Sequence, residues 1–412
     1  MIKKIQKYKN KTNPLIFDLI CAITTALLFS AFLYLQHFGF TLKLINTLFG
    51  ILSLGMFLYI PKRAVLIAGF FIGILWFYWI GYSFKYNGVE YLTPFITLSF
   101  GLIYMLFFGV LALSKKIAIR AILLFMLSFF EPLDFNWMQI ELIFVDSYIG
   151  VFKYQLFLVL LSLSLPYYIK KPYGYLSLLL LLTALDYNSA SLKNAPLNIK
   201  LVQTNIIQEE KWLRKSELPI IQKNLQHIQK AINENYDLVV LPESCFPLYM
   251  NTRPVLQEIL KKLSFKISII AGALLKEKNN NYNVTYFFEN GHIEIAKKLV
   301  LVPFGEYIPL PQFARKIIND TFFAGQADFC IAKKPTDFNI KGVKFRNAIC
   351  YEATCQEIYE GNVDFVIATS NNAWFKPSIE PTLQKLLMKY YARKNHATIY
   401  HSANWQGTGI VN

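Results

Sequence analysis

From Leu15 to Leu185 apolar runs follow one another with only short polar links, whereas from Asn194 onward apolar residues alternate or recur at helical spacing among polar ones. Seven stretches are candidate membrane crossings: roughly 15–35, 41–60, 64–84, 92–113, 117–131, 148–167 and 173–187. A helix needs about 20 apolar residues to cross the hydrocarbon, a length that the first, third and fourth plainly reach. Glu131, Pro132 and Asp134 cut the fifth short, so an interfacial or re-entrant segment is its alternative. Lys153, near the start of the sixth, is expected to snorkel to a headgroup.

The second half reads differently. Residues 199–207 read as a first strand, and Leu218, Ile221, Leu225, Ile228 and Ile232 predict an amphipathic helix over 216–235. YDLVVLPES (236–244) predicts a strand ending in a polar turn, followed by a helix near 253–265 and a strand over 265–275. Residues 283–288 and 292–300 read as a hairpin across Asn290-Gly291. After a loop at 303–311, strands are expected at 343–350 and 363–369, a helix at 381–395 and a last strand at 398–403. Strands alternating with helices, then hairpins, point to a layered α/β domain. Such folds hold their chemistry at the carboxyl ends of strands, where Glu243, Lys298 and Cys350 fall. A helical membrane domain over 1–190 is thus followed by a polar domain over 195–412.

Composition and charge sharpen this picture. Charged residues make up 17% of the chain against about a quarter in ordinary soluble domains, and hydrophobic residues 54%. Lys3, Lys4, Lys7, Lys9 and Lys11 precede the first stretch; Lys62 and Arg63, then Lys115, Lys116 and Arg120, then Lys170 and Lys171, occupy every second link. The alternate links carry mainly Lys85 beside the acidic Glu90, Glu131, Asp134 and Glu141. Basic residues stay on the cytoplasmic side, so the amino terminus is expected inside and everything after Tyr187 outside. Much of the net charge of +16 then faces anionic lipid, and a nucleic-acid partner is not expected. The first stretch has no small-residue cleavage site near Gln36 and is followed at once by further spans, unlike a signal peptide. Five cysteines at irregular spacing, without CxxC or a histidine cluster, suit neither a disulfide framework nor a metal site, and no cofactor is implied.

Cys350 opens CYE (350–352) at a strand end, where a thiol needs only a base or a nearby cation to act as a nucleophile. Glu243 is a candidate for that base, and Lys298 for a cation aimed at a developing oxyanion. The residues alone leave other readings open: a packed cysteine, a turn-capping glutamate, a solvated Lys297-Lys298 pair.

VQTNIIQEEKW (202–212), LPESCFPLY (241–249), KLVLVPFGEYIP (298–309), ICYEATC (349–355) and SNNAWF (370–375), behind a multi-span start, resemble the apolipoprotein N-acyltransferase family of the nitrilase superfamily. The resemblance covers nearly the whole chain. It implies a multi-span α-helical membrane domain fused to an α-β-β-α nitrilase-like sandwich, in the bacterial inner membrane with the catalytic domain periplasmic. It implies Glu243 as general base, Lys298 as oxyanion-stabilising cation and Cys350 as acyl-accepting nucleophile. Glu306 matches a second glutamate that supports the lysine and the base. Tyr351 and Glu352 match pocket-shaping residues, Trp212 and Trp374 aromatic residues on loops over the site, and Asn283 the asparagine upstream of the lysine strand. The implied reaction takes an acyl chain from a phospholipid, such as phosphatidylethanolamine, through a Cys350 thioester to the amine of diacylglyceryl-cysteine in an apolipoprotein. A monomer is expected. The alternatives are a membrane-anchored amidase, whose thioester water resolves, and a non-catalytic membrane protein binding lipids or partners.

The chain departs from the pattern at Ser244-Cys245 and Asn372, and it ends at GTGIVN (407–412), before the further strand and final span that the resemblance implies. An exposed sheet edge is therefore expected there. A Cys350–Cys355 disulfide is not expected.

Overall fold

The computed structural model describes residues 13–132, 135–170, 172–187, 193–278, 280–303, 305–307 and 329–412. Two compact units emerge: Met1–Lys85 with Glu90–Ser189, and Tyr86–Val89 with Ala190–Asn412.

The first unit is helical. Its elements are α1 (Pro14–His37), α2 (Lys43–Tyr59), α3 (Lys62–Phe77), α4 (Thr93–Gly109), α5 (Ile117–Leu127), α6 (Lys153–Ser164) and α7 (Leu180–Thr183), linked by 3-10 turns. Among the described residues, three helical stretches are long and apolar enough to cross a membrane: Pro14–His37, Lys62–Tyr86 and Glu90–Leu113. Lys43–Tyr59, Ile117–Leu127 and Tyr173–Thr183 are apolar but shorter.

Helices surrounded by lipid gain nothing from hydrophobic exclusion, so they associate through close packing and internal polar contacts. Both devices are present. Gly69 and Gly73 lie one turn apart on α3, and a Cβ on either would overlap the backbone of α4 at Tyr104 or Phe100. That closeness lets aromatic rings fill the interior, with Phe57 and Phe108 stacked at 4.8 Å and Phe29 against Trp76 at 5.7 Å. Trp76 donates its indole N–H to Ser30 Oγ at 3.0 Å.

Two charged residues depart from their expected surroundings. Arg120 is buried, not solvated in a link, and its guanidinium donates to the carbonyls of Ile60 at 2.6 Å, Leu58 at 3.3 Å and Ser114 at 2.9 Å. It thereby satisfies carbonyls orphaned at the end of α2. Lys153 does not reach outward: it pairs with the buried Glu141 at 2.6 Å, a local partner that competes with any headgroup. Asp134 lies outside the described residues.

The second unit is built on two five-stranded sheets. One holds β1 (Ile199–Leu201), β2 (Leu238–Val240), β3 (Ser268–Glu277), β4 (Asn280–Glu289) and β5 (His292–Lys297) in sequence order. The other runs β10 (Gly409–Val411), β9 (Thr398–Asn404), β8 (Phe365–Asn371), β7 (Val343–Ile349), β6 (Asp337–Ile340). The flanking helices are α8 (Gln208–Lys211), α9 (Arg214–Asn233), α10 (Pro254–Leu263) and α11 (Glu380–Asn395).

Alternation along β2 shows how the layers form. Leu238 and Val240 point between the sheets, meeting Phe338, Ile340, Phe345, Ile367 and Tyr400. Val239 and Leu241 point the other way into a core with Ile228 of α9 and Leu256 and Leu260 of α10. A strand buried on both faces reads as a continuous apolar run, as LVVL does. α11 packs against β9 and β10 of the second sheet, completing an α-β-β-α sandwich.

The hairpin across Asn290-Gly291 forms, both turn residues taking positive φ, and the helices at 214–233, 254–263 and 380–395 lie near their expected positions. Four strand readings need correction. The first strand ends at Leu201 and β2 at Val240, shorter than the apolar runs that suggested them. Two strands had no signal: β6, in a hairpin across Lys341-Gly342, and β10, which pairs antiparallel with β9 after the expected last strand. The loop at 303–311 lies partly outside the described residues.

The close approach at Gly73 makes a testable demand. Gly73→Ala is expected to lower the thermal midpoint in detergent, costing about 1–3 kcal/mol through overpacking. Gly55→Ala, whose Cβ would meet only Leu163 at 3.8 Å, is expected to be neutral. Equal midpoints for the two variants would contradict this packing.

Candidate active site

Strand direction gathers the polar residues. β1, β2 and β3 run parallel, and two antiparallel steps return β5 to that direction, so β2 and β5 end at the same edge of their sheet. Glu243 lies three residues past the end of β2, and Lys298 directly follows β5. In the second sheet β7, β8 and β9 are parallel, and Cys350 directly follows β7.

Lys298 is the best-held of these. Its ammonium, 1% exposed, contacts Glu306 Oε2 at 2.7 Å and Oε1 at 2.8 Å, with Glu243 Oε1 at 4.0 Å. Burial alone would drive the ammonium down, but Glu306 and Glu243, with Cys350, hold it charged above the usual lysine range. Asn283 on β4 completes the arrangement: its amide donates to Glu243 Oε1 at 2.7 Å, and its carbonyl accepts the Lys298 N–H at 3.0 Å. Glu306 Oε2 also accepts the Val302 N–H at 2.9 Å, so the turn that supplies the second carboxylate is closed by that carboxylate.

Two backbone features aim the groups. Cys350 has φ +57°, a left-handed conformation that costs an L-residue about 1–2 kcal/mol and turns the thiol off the strand line. Ser244, beside Glu243, has φ +46°. The Glu243 turn lies directly on β3, where a Cβ on Gly272 would overlap the backbone of Glu243 and Ser244. Phe246 N–H then donates to Gly272 O at 3.1 Å.

Glu352 acts as a brace. One carboxylate oxygen accepts the N–H groups of Leu299 at 2.7 Å and Val300 at 3.2 Å, the other that of Ile349 at 2.6 Å. The ends of β7 and β5, from different sheets, are thereby tied together. Burial raises this carboxyl to about 7 against the pull of Lys298 and the three N–H groups. Tyr351 is buried beside it, while Trp212 is 46% exposed after α8 and Trp374 is half-buried. Tyr86, which groups with this unit, meets the Trp374 ring edge-on at 5.1 Å and donates to Ala373 O at 3.2 Å.

The thiol is half-buried. Burial and then the Glu243 charge push it well above the ordinary thiol range; Lys298 pulls it down, while Glu380 and Glu306 add to the rise. No disulfide joins Cys350 and Cys355.

Four residues near this centre carried no sequence signal. Lys211, in an apparently solvated charge run, is buried and donates to Glu243 O at 3.2 Å; burial lowers its ammonium to about 8. Gln384 on α11 approaches Cys350 Sγ at 3.8 Å and accepts from Asn372 Nδ2 at 3.0 Å. Glu380, one turn earlier, is buried. Asn404, ending β9, accepts from Thr204 Oγ1 and the Ile206 N–H, each at 2.8 Å, and so holds the segment that leads into α8.

Comparison with known proteins covers both units. The family of the apolipoprotein N-acyltransferase integral membrane domain matches residues 16–187, and the carbon-nitrogen hydrolase family matches 199–409. A protein of Wolinella succinogenes named apolipoprotein N-acyltransferase is 45% identical over 395 residues, spanning 95% of each chain. A Helicobacter hepaticus protein of that name is 38% identical, over 89% of this chain and 94% of its own length. A third, from Campylobacter jejuni, is 37% identical over 98% and 91%.

The electrostatics make a sharp prediction. Glu243 raises the Cys350 thiol, so Glu243→Gln, which removes that charge, is expected to increase the thiolate fraction. The midpoint of the pH profile for Cys350 alkylation by iodoacetamide, followed by peptide mass spectrometry, is expected to fall in this variant. Cys245, which burial pushes up to about 12, serves as the unreactive internal control. An unchanged or higher midpoint at Cys350 contradicts the arrangement.

Proposed function

The chain belongs to the apolipoprotein N-acyltransferase family, and from that premise we propose that it transfers an acyl chain from a phospholipid, through a thioester on Cys350, to the amine of a diacylated apolipoprotein. The observation that carries this reading is a buried ammonium, Lys298, held between Glu306 and Glu243 and electrostatically coupled to a thiol at a strand end. Cys350 is the nucleophile, Glu243 the base and Lys298 the oxyanion partner. Glu306 and Asn283 position the latter two.

The first half-reaction begins with a neutral thiol. Cys350 Sγ attacks the ester carbonyl carbon as its proton passes to Glu243. The carbonyl oxygen becomes an anion beside Lys298, whose dry surroundings strengthen the attraction without any reorganisation. The tetrahedral species collapses, the ester C–O bond breaks, and the departing alkoxide takes the proton from Glu243 to leave as a lysophospholipid. Phosphatidylethanolamine fits as donor because only the ester is consumed.

In the second half-reaction the amine nitrogen attacks the thioester carbonyl and Lys298 again meets the oxyanion. Glu243 accepts a proton from nitrogen and returns it to the departing sulfur. An amide and a free thiol result. Water must be excluded while the thioester persists, a task suited to Trp212 and Trp374, whose rings border on polar and apolar surroundings.

The alternation of basic links supports an amino terminus in the cytoplasm and seven crossings of the inner membrane, leaving the sandwich on the periplasmic side. The protein acts as a monomer in this reading, since every proposed reacting group lies on one chain.

Incubation of the purified full chain with acyl-labelled phosphatidylethanolamine is expected to place a hydroxylamine-sensitive label on Cys350. Cys350→Ala is expected to abolish both that label and N-acylation of a diacylglyceryl-cysteinyl peptide. Continued acylation by the alanine variant contradicts the proposal.

A further inference from the structure

The mechanism leaves one buried acid unused. Glu380 is the first residue of α11, its side chain is 1% exposed, and its Oε2 is buried with no hydrogen-bond partner. A buried oxygen left unsatisfied is costly and calls for an explanation. One helical turn later Gln384, on the same face, brings its amide to 3.8 Å from Cys350 Sγ. Glu380 also interacts electrostatically with both the Cys350 thiol and Glu243. A carboxyl with one buried, unpartnered oxygen therefore sits one turn from the residue that approaches the Cys350 sulfur.

The cations at the centre are committed elsewhere. Lys298 pairs with Glu306, and Lys211 donates to the Glu243 carbonyl. No ion pair to Glu380 occurs among the described residues. The phospholipid ester brings no charge to the reacting carbon, so the first substrate does not meet this demand. The second substrate does, because an α-amine titrates near 8 and arrives largely as an ammonium.

We propose that Glu380 is the docking group for the acyl acceptor, binding its ammonium and taking the first of the two protons that nitrogen must lose before the amide is complete. The assignment rests on the acyl-transfer reading above and adds a residue for its second half. In proton terms, the resting Glu380 acid gives its proton to solvent as the ammonium docks, and the ammonium–carboxylate pair then becomes amine plus carboxylic acid. The freed amine then attacks the thioester carbonyl, its second proton moves through Glu243 to the Cys350 sulfur, and Glu380 is left in its resting acid form. Burial, and the Glu243 charge after it, hold the Glu380 carboxyl well above the usual carboxylate range. The carboxyl therefore keeps its proton until the ammonium arrives, and the docked cation draws it into the charged form. Ester cleavage needs none of this, so the two half-reactions should separate.

The test uses full-length protein, labelled phosphatidylethanolamine and a synthetic diacylglyceryl-cysteinyl peptide. In Glu380→Gln, which removes a group that raises the Cys350 thiol, the thioester is expected to form no more slowly than in the wild type, which also reports a folded site. The KM for the peptide is expected to rise about tenfold, equivalent to 1.4 kcal/mol, and Glu380→Asp is expected to recover part of the loss. Hydroxylamine, uncharged at pH 7, should discharge both thioesters equally. An unchanged peptide KM in Glu380→Gln overturns the assignment, as does loss of thioester formation in both variants. A wild-type chain that never labels on Cys350 instead overturns the acyl-transfer reading on which the assignment stands.

Discussion

A lysine ammonium removed from water is costly unless opposite charge meets it, and the carboxy-terminal unit is arranged around one such group. Lys298 needs Glu306 and Glu243 close by, and both carboxylates need fixed positions. Asn283 holds Glu243, the Val302 N–H holds Glu306, and the β4–β5 hairpin places Lys298 itself. Glu352 then ties the end of this hairpin to the strand that carries Cys350. Each support uses a backbone group or a buried side chain, so the cluster is set before any substrate arrives. Preorganised charge of this kind is the largest single contribution in many enzymes.

The centre also joins two sheets. Glu243, Asn283 and Lys298 come from one, Cys350, Glu352 and Glu380 from the side of the other. The apolar interior between them, with Ile270, Phe287, Phe345 and Tyr400, keeps the two strand ends at a fixed separation. The left-handed backbone at Cys350 is tolerable because the surrounding bonds over-determine it. The membrane unit meets a different constraint. There small residues and aromatic rings, with Arg120 bonded to backbone carbonyls, hold helices together where water supplies no driving force.

Much of this was legible in the residues. Asn290-Gly291 announced its hairpin because both positions require positive φ, and the apolar spacing in 216–235 announced α9. Glu243, Lys298 and Cys350 were legible as candidates because each lies just past the end of a strand, β2, β5 and β7, that the apolar pattern had indicated. What escaped was set by partners distant in sequence. β6 and β10 are short edge strands with little apolar signal, defined only by β7 and β9 beside them. Lys153 and Arg120 looked like headgroup or link charges because nothing local indicates Glu141 or the carbonyls ending α2. Lys211, Glu380 and Gln384 are ordinary polar residues in their own segments, and only the fold turns them toward Glu243 and Cys350.

The account stands on Lys298 stabilising the anion formed when the thiol attacks. Single-turnover acylation of Cys350 in Lys298→Met measures that contribution directly, with circular dichroism and Lys298→Met/Glu306→Gln controlling for the carboxylates left without a cation. Acylation is expected to slow about 10²–10³-fold in both variants while the fold is retained. A folded Lys298→Met that forms the thioester at the wild-type rate would contradict the account.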